Sequence, residues 1–570
     1  VIPGRTRMNS SKIFDELKRR KVYKVAIAYI VAGWALAQGI SQVFPVFDIP
    51  NWVVRLSVLL IVVGFPVALV LSWFFDFTRY GIVRTPDAEG YGKIDIPRPA
   101  TSKEKSIAVL PFTDLSAGGE RDYFGEGIAE EILCALAKIN GLRVAARRSS
   151  FWFKEKEAEL SEIARKLNVA HVLEGTVRRE RNRVRVTAEL IDAREGFTIW
   201  SETFDREFER IFALQDDITR AIIDALKLKL DIPTTGPATR NTEAYDLYLR
   251  ARALGAHSDE RSLERQIALL GEALAADPHY TTAWAELACA CASIADAYRA
   301  PLEVLPNMRH AALMAVKTDE KAGAGHIWLA AVALNYDWNF PLAKAELERA
   351  ITLDPNSSDA RRWYGWYLAR VERDFIRARE QMRWARTLDP LYTWPVWWES
   401  DIAIAQGDHR AALQFAERVM EIDPDFFYEE DPIAHVYLAM GRWQDALKRY
   451  QSLPACTFSR PNFELAICYA HTGDTARARQ ILKDLELLAQ QRYVDHTHIA
   501  AIYAGLNDKE NAFAALERAY YDRSARISAA RFYPWLSPLV DDPRFAALER
   551  KIAQSIISLP PEPQPSDSFA

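Results

Sequence analysis

Leu342-Ala-Lys-Ala-Glu-Leu-Glu-Arg-Ala350-Ile-Thr-Leu-Asp-Pro355 decides the fold. Its apolar residues recur at helical spacing, and Asp354-Pro355 stops the helix because proline has no N–H to continue the ladder. The same punctuation stands at Asp277-Pro278, Asp389-Pro390 and Asp423-Pro424. By subtraction the prolines lie 77, 35 and 34 residues apart, the first interval being about two of the others. Gly407, Gly441, Gly473 and Gly505 add a second series at 34, 32 and 32. Each glycine falls where a first helix must turn into a second, and each proline where the second must stop, so the two series interlock.

A period of about 34 residues built from two helices is the tetratricopeptide (TPR) pattern. Ala283-Trp-Ala-Glu-Leu287 supplies the Trp-x-x-Leu start of a first helix. About eight helix pairs are expected from Glu243 to Ser524, the earlier ones irregular, within a repeat region of residues 240–555. Phe532 to Lys551 is read as its C-terminal cap, and the proline-rich 556–570 as a loose tail. One helix pair cannot bury its apolar face alone, so stacking predicts an all-α solenoid with a concave surface for peptides or partner helices. Aromatic residues crowd its middle. Trp363, Trp366, Tyr367, Trp394, Trp397 and Trp398 are candidate partner-binding anchors, with packing inside the repeats as the competing account.

At 570 residues the chain exceeds one hydrophobic core and must be multidomain. Its 49% hydrophobic and 26% charged residues suit folded protein in which any membrane part is small. A net charge of −5 supplies no global field toward nucleic acid, which makes that partner unlikely. Five scattered cysteines do not form a disulfide framework and fit a reducing compartment. Cys289 and Cys291 point to different helix faces, and no metal or cofactor set accompanies them.

Val25 to Phe47 and Leu56 to Phe75 carry no charge, and each is long enough to cross a bilayer. Residues 25–76 are therefore expected to form a transmembrane α-hairpin in contact with the lipid bilayer. The basic segment 1–24 before it predicts a cytoplasmic N-terminus, and two crossings return the large C-terminal part to the same side. Ala35-Leu36-Ala37 resembles a signal-peptidase site and leaves cleavage as an alternative. Residues 77–104, rich in glycine and proline, read as a linker.

Residues 105–232 read as a small α/β domain. Ser106-Ile-Ala-Val-Leu-Pro-Phe112 and Leu142 to Ala146 are strand-like. Val169 to Arg178, Arg183 to Asp192 and Phe197 to Arg206 follow as strands joined by hairpins at Glu180-Arg-Asn182 and Arg194-Glu-Gly196. Helices are expected over Tyr123 to Ile139, Ala158 to Leu167 and Ile211 to Leu230. Ser106 to Phe112, Tyr123-Phe-Gly-Glu-Gly127, Glu130-Glu-Ile132, Arg147-Arg-Ser-Ser-Phe151, Leu173-Glu-Gly-Thr-Val177 and Trp200 to Asp205 together resemble the TolB amino-terminal-like (FlgO-like) domain. That resemblance implies a protein of the bacterial inner membrane with the domain placed between membrane spans and TPR repeats. Relatives carry it beside nucleotide-cyclase or winged-helix DNA-binding domains, neither of which is legible here.

Arg143, Arg147 and Arg148 with Ser149 and Ser150 are a candidate ligand-binding set, since guanidiniums and hydroxyls suit oxyanions. The competing account is a solvated strand end. Arg178, Arg179, Arg181, Arg183 and Arg185 crowd one hairpin, as a basic ribbon toward anionic lipid or as the wet face of a sheet. No complete catalytic constellation is legible. His496-Thr-His498 lacks a third ligand, and Glu429-Glu430-Asp431 reads as a helix start. The sequence thus predicts a non-enzymatic, membrane-anchored scaffold or signalling adaptor, with homo-oligomerisation open. A regulator whose α/β domain binds a small anion or nucleotide is the alternative.

Overall fold

A computed structural model describes residues 75–78, 81–84 and 106–555, apart from 117–121, 138–141, 155, 157, 181, 194, 208–210, 226–238, 256–258, 296, 425, 427–430 and 453–462. The chain divides into two compact units, Val1–Asp95 and Ile96–Ala570. In the first, β1 (Phe75–Thr78) and β2 (Gly81–Arg84) pair antiparallel, with Phe75 opposite Arg84. This ribbon of strand-forming residues stands where the sequence reading placed the end of the second span and the start of the linker. Residues 25–74 lie outside the described residues. Among those described, no helix is long and apolar enough to cross a membrane.

The second unit begins with the α/β domain: β3 (Ser106–Val109), β4 (Thr113–Asp114), α1 (Asp122–Ala137), β5 (Arg143–Val144), α2 (Arg147–Phe151), α3 (Leu160–Leu167), β6 (His171–Glu180), β7 (Arg183–Asp192), β8 (Phe197–Glu207) and α4 (Ile211–Ala225). Strand order is β5-β3-β6-β7-β8, with β4 also beside β6. The first strands run parallel and β6-β7-β8 form an antiparallel meander. Alternation along β7 fixes its register. Val184, Val186, Ala188 and Leu190 are buried in one core with Phe124, Ile128 and Ile132 of α1 and Ile211, Leu214 and Ile218 of α4. Arg183 and Arg185 stand on the other face, where both bind Asp205 at 2.8 and 2.7 Å. The wet-face account of that hairpin therefore fits the geometry. Gly125 has no room for a side chain, because a Cβ would lie 2.2 Å from the Phe112 carbonyl oxygen.

Among the described residues eight antiparallel helix pairs follow: α5 (Thr242–Leu254) with α6 (Glu260–Ala276), α7 (Thr281–Ile294) with α8 (Pro301–Thr318), α9 (Gly323–Asn335) with α10 (Phe340–Leu353), and α11 (Ser358–Tyr367) with α12 (Phe375–Leu388). Next come α13 (Thr393–Ala405) with α14 (His409–Ile422), α15 (Pro432–Ala439) with α16 (Trp443–Ser452), α17 (Phe463–Thr472) with α18 (Thr475–Leu488), and α19 (His496–Gly505) with α20 (Lys509–Tyr521). A π-helical turn, Leu368–Glu372, extends α11. The chain then makes two 3-10 turns, Ile527–Phe532 and Pro534–Leu539, and ends its described part in α21 (Pro543–Gln554).

The turn inside six of these pairs is the same device. Trp338, Arg373, Gly407, Gly441, Gly473 and Asn507 take left-handed φ values of 53 to 95°, and by subtraction they lie 35, 34, 34, 32 and 34 residues apart. In five of the six the next residue, Asn339, Asp374, Asp408, Asp474 or Asp508, caps the second helix by accepting from its backbone N–H groups. Gly505 was expected in this series, but it is the last residue of α19 and Asn507 holds the turn. Asp319 closes α8 without a following proline. It is the boundary hidden inside the 77-residue interval.

The α/β domain and the first repeats share one continuous core running from Ile107 to Tyr336. Arg252 on α5 crosses the junction, pairing with Glu130 of α1 at 2.6 Å and Glu286 of α7 at 2.5 Å, while Arg147 reaches Glu130 at 2.9 Å. Burial pushes the Glu130 carboxyl up, but Arg147 and Arg252 outweigh it and hold the group below the usual range. Arg252→Ala removes the cation shared by Glu130 and Glu286 in this core, leaving Glu130 to Arg147 and Glu286 to the Gln266 amide. It is expected to lower unfolding free energy by about 3–5 kcal/mol, measured by denaturant titration at pH 7. A change below about 1 kcal/mol would show that water solvates the junction.

Candidate functional site

The five residues read as an anion site do not converge on a pocket. Arg143 is buried in β5, where burial lowers its pKa and its guanidinium donates to the Asn168 carbonyl. Arg147 pairs with Glu126 and Glu130 and lies 4.4 Å over the Phe151 ring. Arg148 turns the other way, to Asp359 of α11 at 2.8 Å and over the Tyr392 ring at 4.3 Å. Ser149 donates through both its backbone N–H and its hydroxyl to Asp389, and its hydroxyl oxygen accepts from the Leu391 N–H at 2.7 Å. Ser150 is buried beside it. The segment is helix α2 rather than a strand end, and carboxylates of the chain occupy the positions an oxyanion would need. Sequence reasoning did not foresee these partners, because Asp359 and Asp389 lie more than 200 positions away.

The candidate anchors lie along the first helices α11 and α13. Trp366, Tyr367, Trp397 and Trp398 are all at most 8% exposed, and Trp363 and Trp394 are half-buried. Trp366 stacks on Trp398 at 4.8 Å, Trp363 meets Trp398 edge-on at 5.2 Å, and the Arg362 guanidinium lies 4.5 Å over Trp398. Most of these rings are therefore core of the repeats rather than open anchors, the packing account given above.

Their exposure is limited further by the segment after α20. The sequence reading made Phe532 to Lys551 a terminal cap. The chain instead runs back over the row of first helices. Phe532 lies 5.4 Å from Trp366, Arg370 donates to the Ser528 hydroxyl at 2.5 Å, and Trp535 meets His435 of α15 at 5.2 Å and Phe463 of α17 at 5.3 Å. Only α21 packs as a cap, with Arg544 pairing with Glu510 of α20 at 2.8 Å. The solenoid also meets itself: Arg523 donates to the Tyr336 carbonyl at 3.1 Å and covers the buried Trp338 ring at 3.9 Å.

The residues nearest to a catalytic pattern have partners within the repeats. His496 pairs with Asp522 at 2.8 Å, whereas His498 is buried and stacked on Phe463 at 3.9 Å. Asp431 caps α15 and pairs with Arg449 at 2.6 Å, as a helix start should; Glu429 and Glu430 lie outside the described residues. Among the described residues no group of His, Cys, Asp or Glu side chains is arranged to hold a metal ion. Cys291 and Cys468 are buried thiols pushed up to about 12 by desolvation, inert packing rather than chemistry.

Residues 102–221 match the family described as HilA/YgeH-like transcriptional regulator, second domain. The match spans the α/β domain and about a fifth of the chain. A Rhizobium meliloti protein that carries the name of an adenylate cyclase is 38% identical over 259 residues, 44% of this chain. The chain spans 43% of that relative's length. Among solved structures, a tetratricopeptide repeat protein from Parabacteroides merdae is 12% identical, covering 55% of this chain and 99% of its own, with a TM-score of 0.30. Yeast Tom70 is 13% identical, covering 54% of this chain and 68% of its own, at 0.33. The helix-pair architecture rests on the turns and caps described above.

Asp389 gives the α2 contact a pH signature. Burial pushes its carboxyl up to about 6, against the pull of Arg148 and the Ser149 donors. A carboxyl whose pKa is raised on folding binds more protons folded than unfolded, so stability falls as pH rises from about 4 through about 6 and is level above that. Asp389→Asn keeps an acceptor for Ser149 and removes the titration. Relative to the natural chain, its unfolding midpoint should rise between pH 5 and pH 8; parallel profiles would show that Asp389 is solvated.

Proposed function

We propose that this chain is a membrane-tethered scaffold in a bacterial signalling system, holding polypeptide partners on its α-solenoid with the α/β domain as a fixed part of the same body. One observation carries the reading: among the described residues eight helix pairs follow one another with most neighbouring first helices packed side by side, the arrangement repeat proteins use for recognition. The α/β domain fits the TolB amino-terminal-like resemblance as a docked module, braced by Arg252 and Arg148 against separate repeats. Similarity to a transcriptional-regulator domain and to a protein named for cyclic-nucleotide synthesis supports a signalling setting. The two uncharged runs before Phe75 supply the tether, which puts the solenoid in the cytoplasm.

In the anion-regulated alternative, a small anion at Arg143, Arg147, Arg148, Ser149 and Ser150 would have to compete with the carboxylates of Glu130, Asp359 and Asp389. Reporter fusions after Thr78 and after Lys551 in bacterial cells should both read cytoplasmic; a periplasmic signal at both would sink the topology. The scaffold reading also predicts that the purified chain forms no cyclic AMP from ATP and Mg²⁺ above a boiled control. Sustained turnover by the pure protein would replace this reading with an enzymatic one.

A further inference from the structure

The segment from Ser524 to Leu539 does not fold as a ninth repeat. Pro534 and Pro538 keep it from continuing as α-helix, and it makes two 3-10 turns instead. Its side chains are directed into the solenoid: Ile527, Trp535, Leu536 and Leu539 are all at most 2% exposed. Tyr533 stacks on Trp535 at 4.8 Å, so the aromatic pair flanking Pro534 enters as one slab. The receiving wall is drawn from Trp366, His435 and Phe463, in three different repeats. Polar ties hold its start, with Ser524 donating to Asp495 at 2.8 Å and Arg526 pairing with the same carboxylate at 3.3 Å.

The floor beneath is not what a purely apolar core would select. Asp401, His435, Glu464, Asp495 and His498 are all buried on or at the start of the first helices α13, α15, α17 and α19; His435 lies 3.2 Å from Asp401 and faces Trp535, and Asp495 both caps α19 and meets the strap through Ser524 and Arg526. Burying ionisable groups under leucine and tryptophan has a desolvation cost that an ordinary core avoids. The Trp535 indole N–H, buried among them, has no hydrogen-bond partner among the described residues. The strap thus lies over a face that mixes aromatic rings with a few buried polar side chains, the composition of surfaces that hold an extended segment.

We infer that the face of first helices from α11 to α19 is a groove for an extended polypeptide of aromatic-Pro-aromatic-Leu character, and that residues 524–539 fill it in cis. A partner in trans would carry the same chemistry, an aromatic pair around a proline followed by leucine, and would bind by displacing the strap. This deepens the scaffold reading, on which the trans partner rests; the cis occupancy does not depend on it.

The test uses the full chain and a fluorescein-labelled peptide of residues 525–541. In Trp535→Ala/Leu539→Ala the strap is weakened, and the peptide should bind at least tenfold more tightly than to the natural chain by anisotropy. Adding Trp366→Ala should abolish that gain. Equal binding to the natural and weakened chains, with both unfolding cooperatively, would overturn the proposal. Should the double variant fail to fold, a protease site inserted after the exposed Tyr521 gives a second measurement. After cleavage, exchange of the released C-terminal fragment for labelled peptide supports the groove, and retention without exchange over a day makes the strap permanent core and ends the idea. A strap-exchanged dimer by light scattering would also support the groove, with a second copy as occupant. Peptide binding without any cellular partner would leave the groove standing and count against the scaffold reading alone.

Discussion

Six of the eight described repeats depend on one constraint: the chain must reverse between two helices within about two to four residues and still satisfy the exposed N–H groups of the second. A single left-handed residue followed by an Asp or Asn cap does both. The reversal sets the angle between the helices, and that angle decides which face each pair offers to the next. Where the device repeats at near-constant spacing, from Trp338 to Asn507, the pairs stack into one body. Trp338 and Arg373 accept the left-handed conformation without being glycine, a cost their surroundings must offset. For Trp338 the compensation is visible, since its ring is buried under Arg523 and Tyr520.

Much of this was legible in the sequence, because helix stops and reversals are local chemistry. Asp-Pro pairs and glycines marked most boundaries, and alternation along Arg183 to Asp192 fixed strand and face together. The failures are equally physical. Gly505 was chosen over Asn507 because glycine is the stronger signal for positive φ, although asparagine tolerates it. Asp319 went unseen because a helix can end without proline. The carboxylate partners of the candidate anion set were not legible, because a guanidinium shows its charge in sequence but not its counter-charge. Nothing local says that Arg148 will meet Asp359 or that Ser149 will meet Asp389. A signal for the returning strap did exist: Pro534 and Pro538 within an apolar aromatic run argue against a final helix, and the expectation of a cap passed over it.

The α/β domain is bound to the solenoid by two different kinds of contact. At α5 the junction is a shared apolar core around a buried ion network, and at α11 to α13 it is a polar seam through Arg148 and Ser149. Contacts to repeats so far apart in sequence hold the domain against rotation as well as separation. Any change of curvature in the repeats between these two contacts must strain one of them, so the α/β domain works as a brace on the solenoid.

The contact of Arg523 and Tyr520 with Tyr336 and Trp338 also sets an order of assembly. In an open array each repeat settles on its predecessor as it leaves the ribosome. Here Tyr336 and Trp338, in the turn before α10, await Arg523 and Tyr520, made 187 and 182 positions later, and Trp366 of α11 awaits Phe532, 166 positions later. Until then a strip of aromatic side chains on the growing chain faces solvent, and a chaperone has its chance before residues 524–539 do.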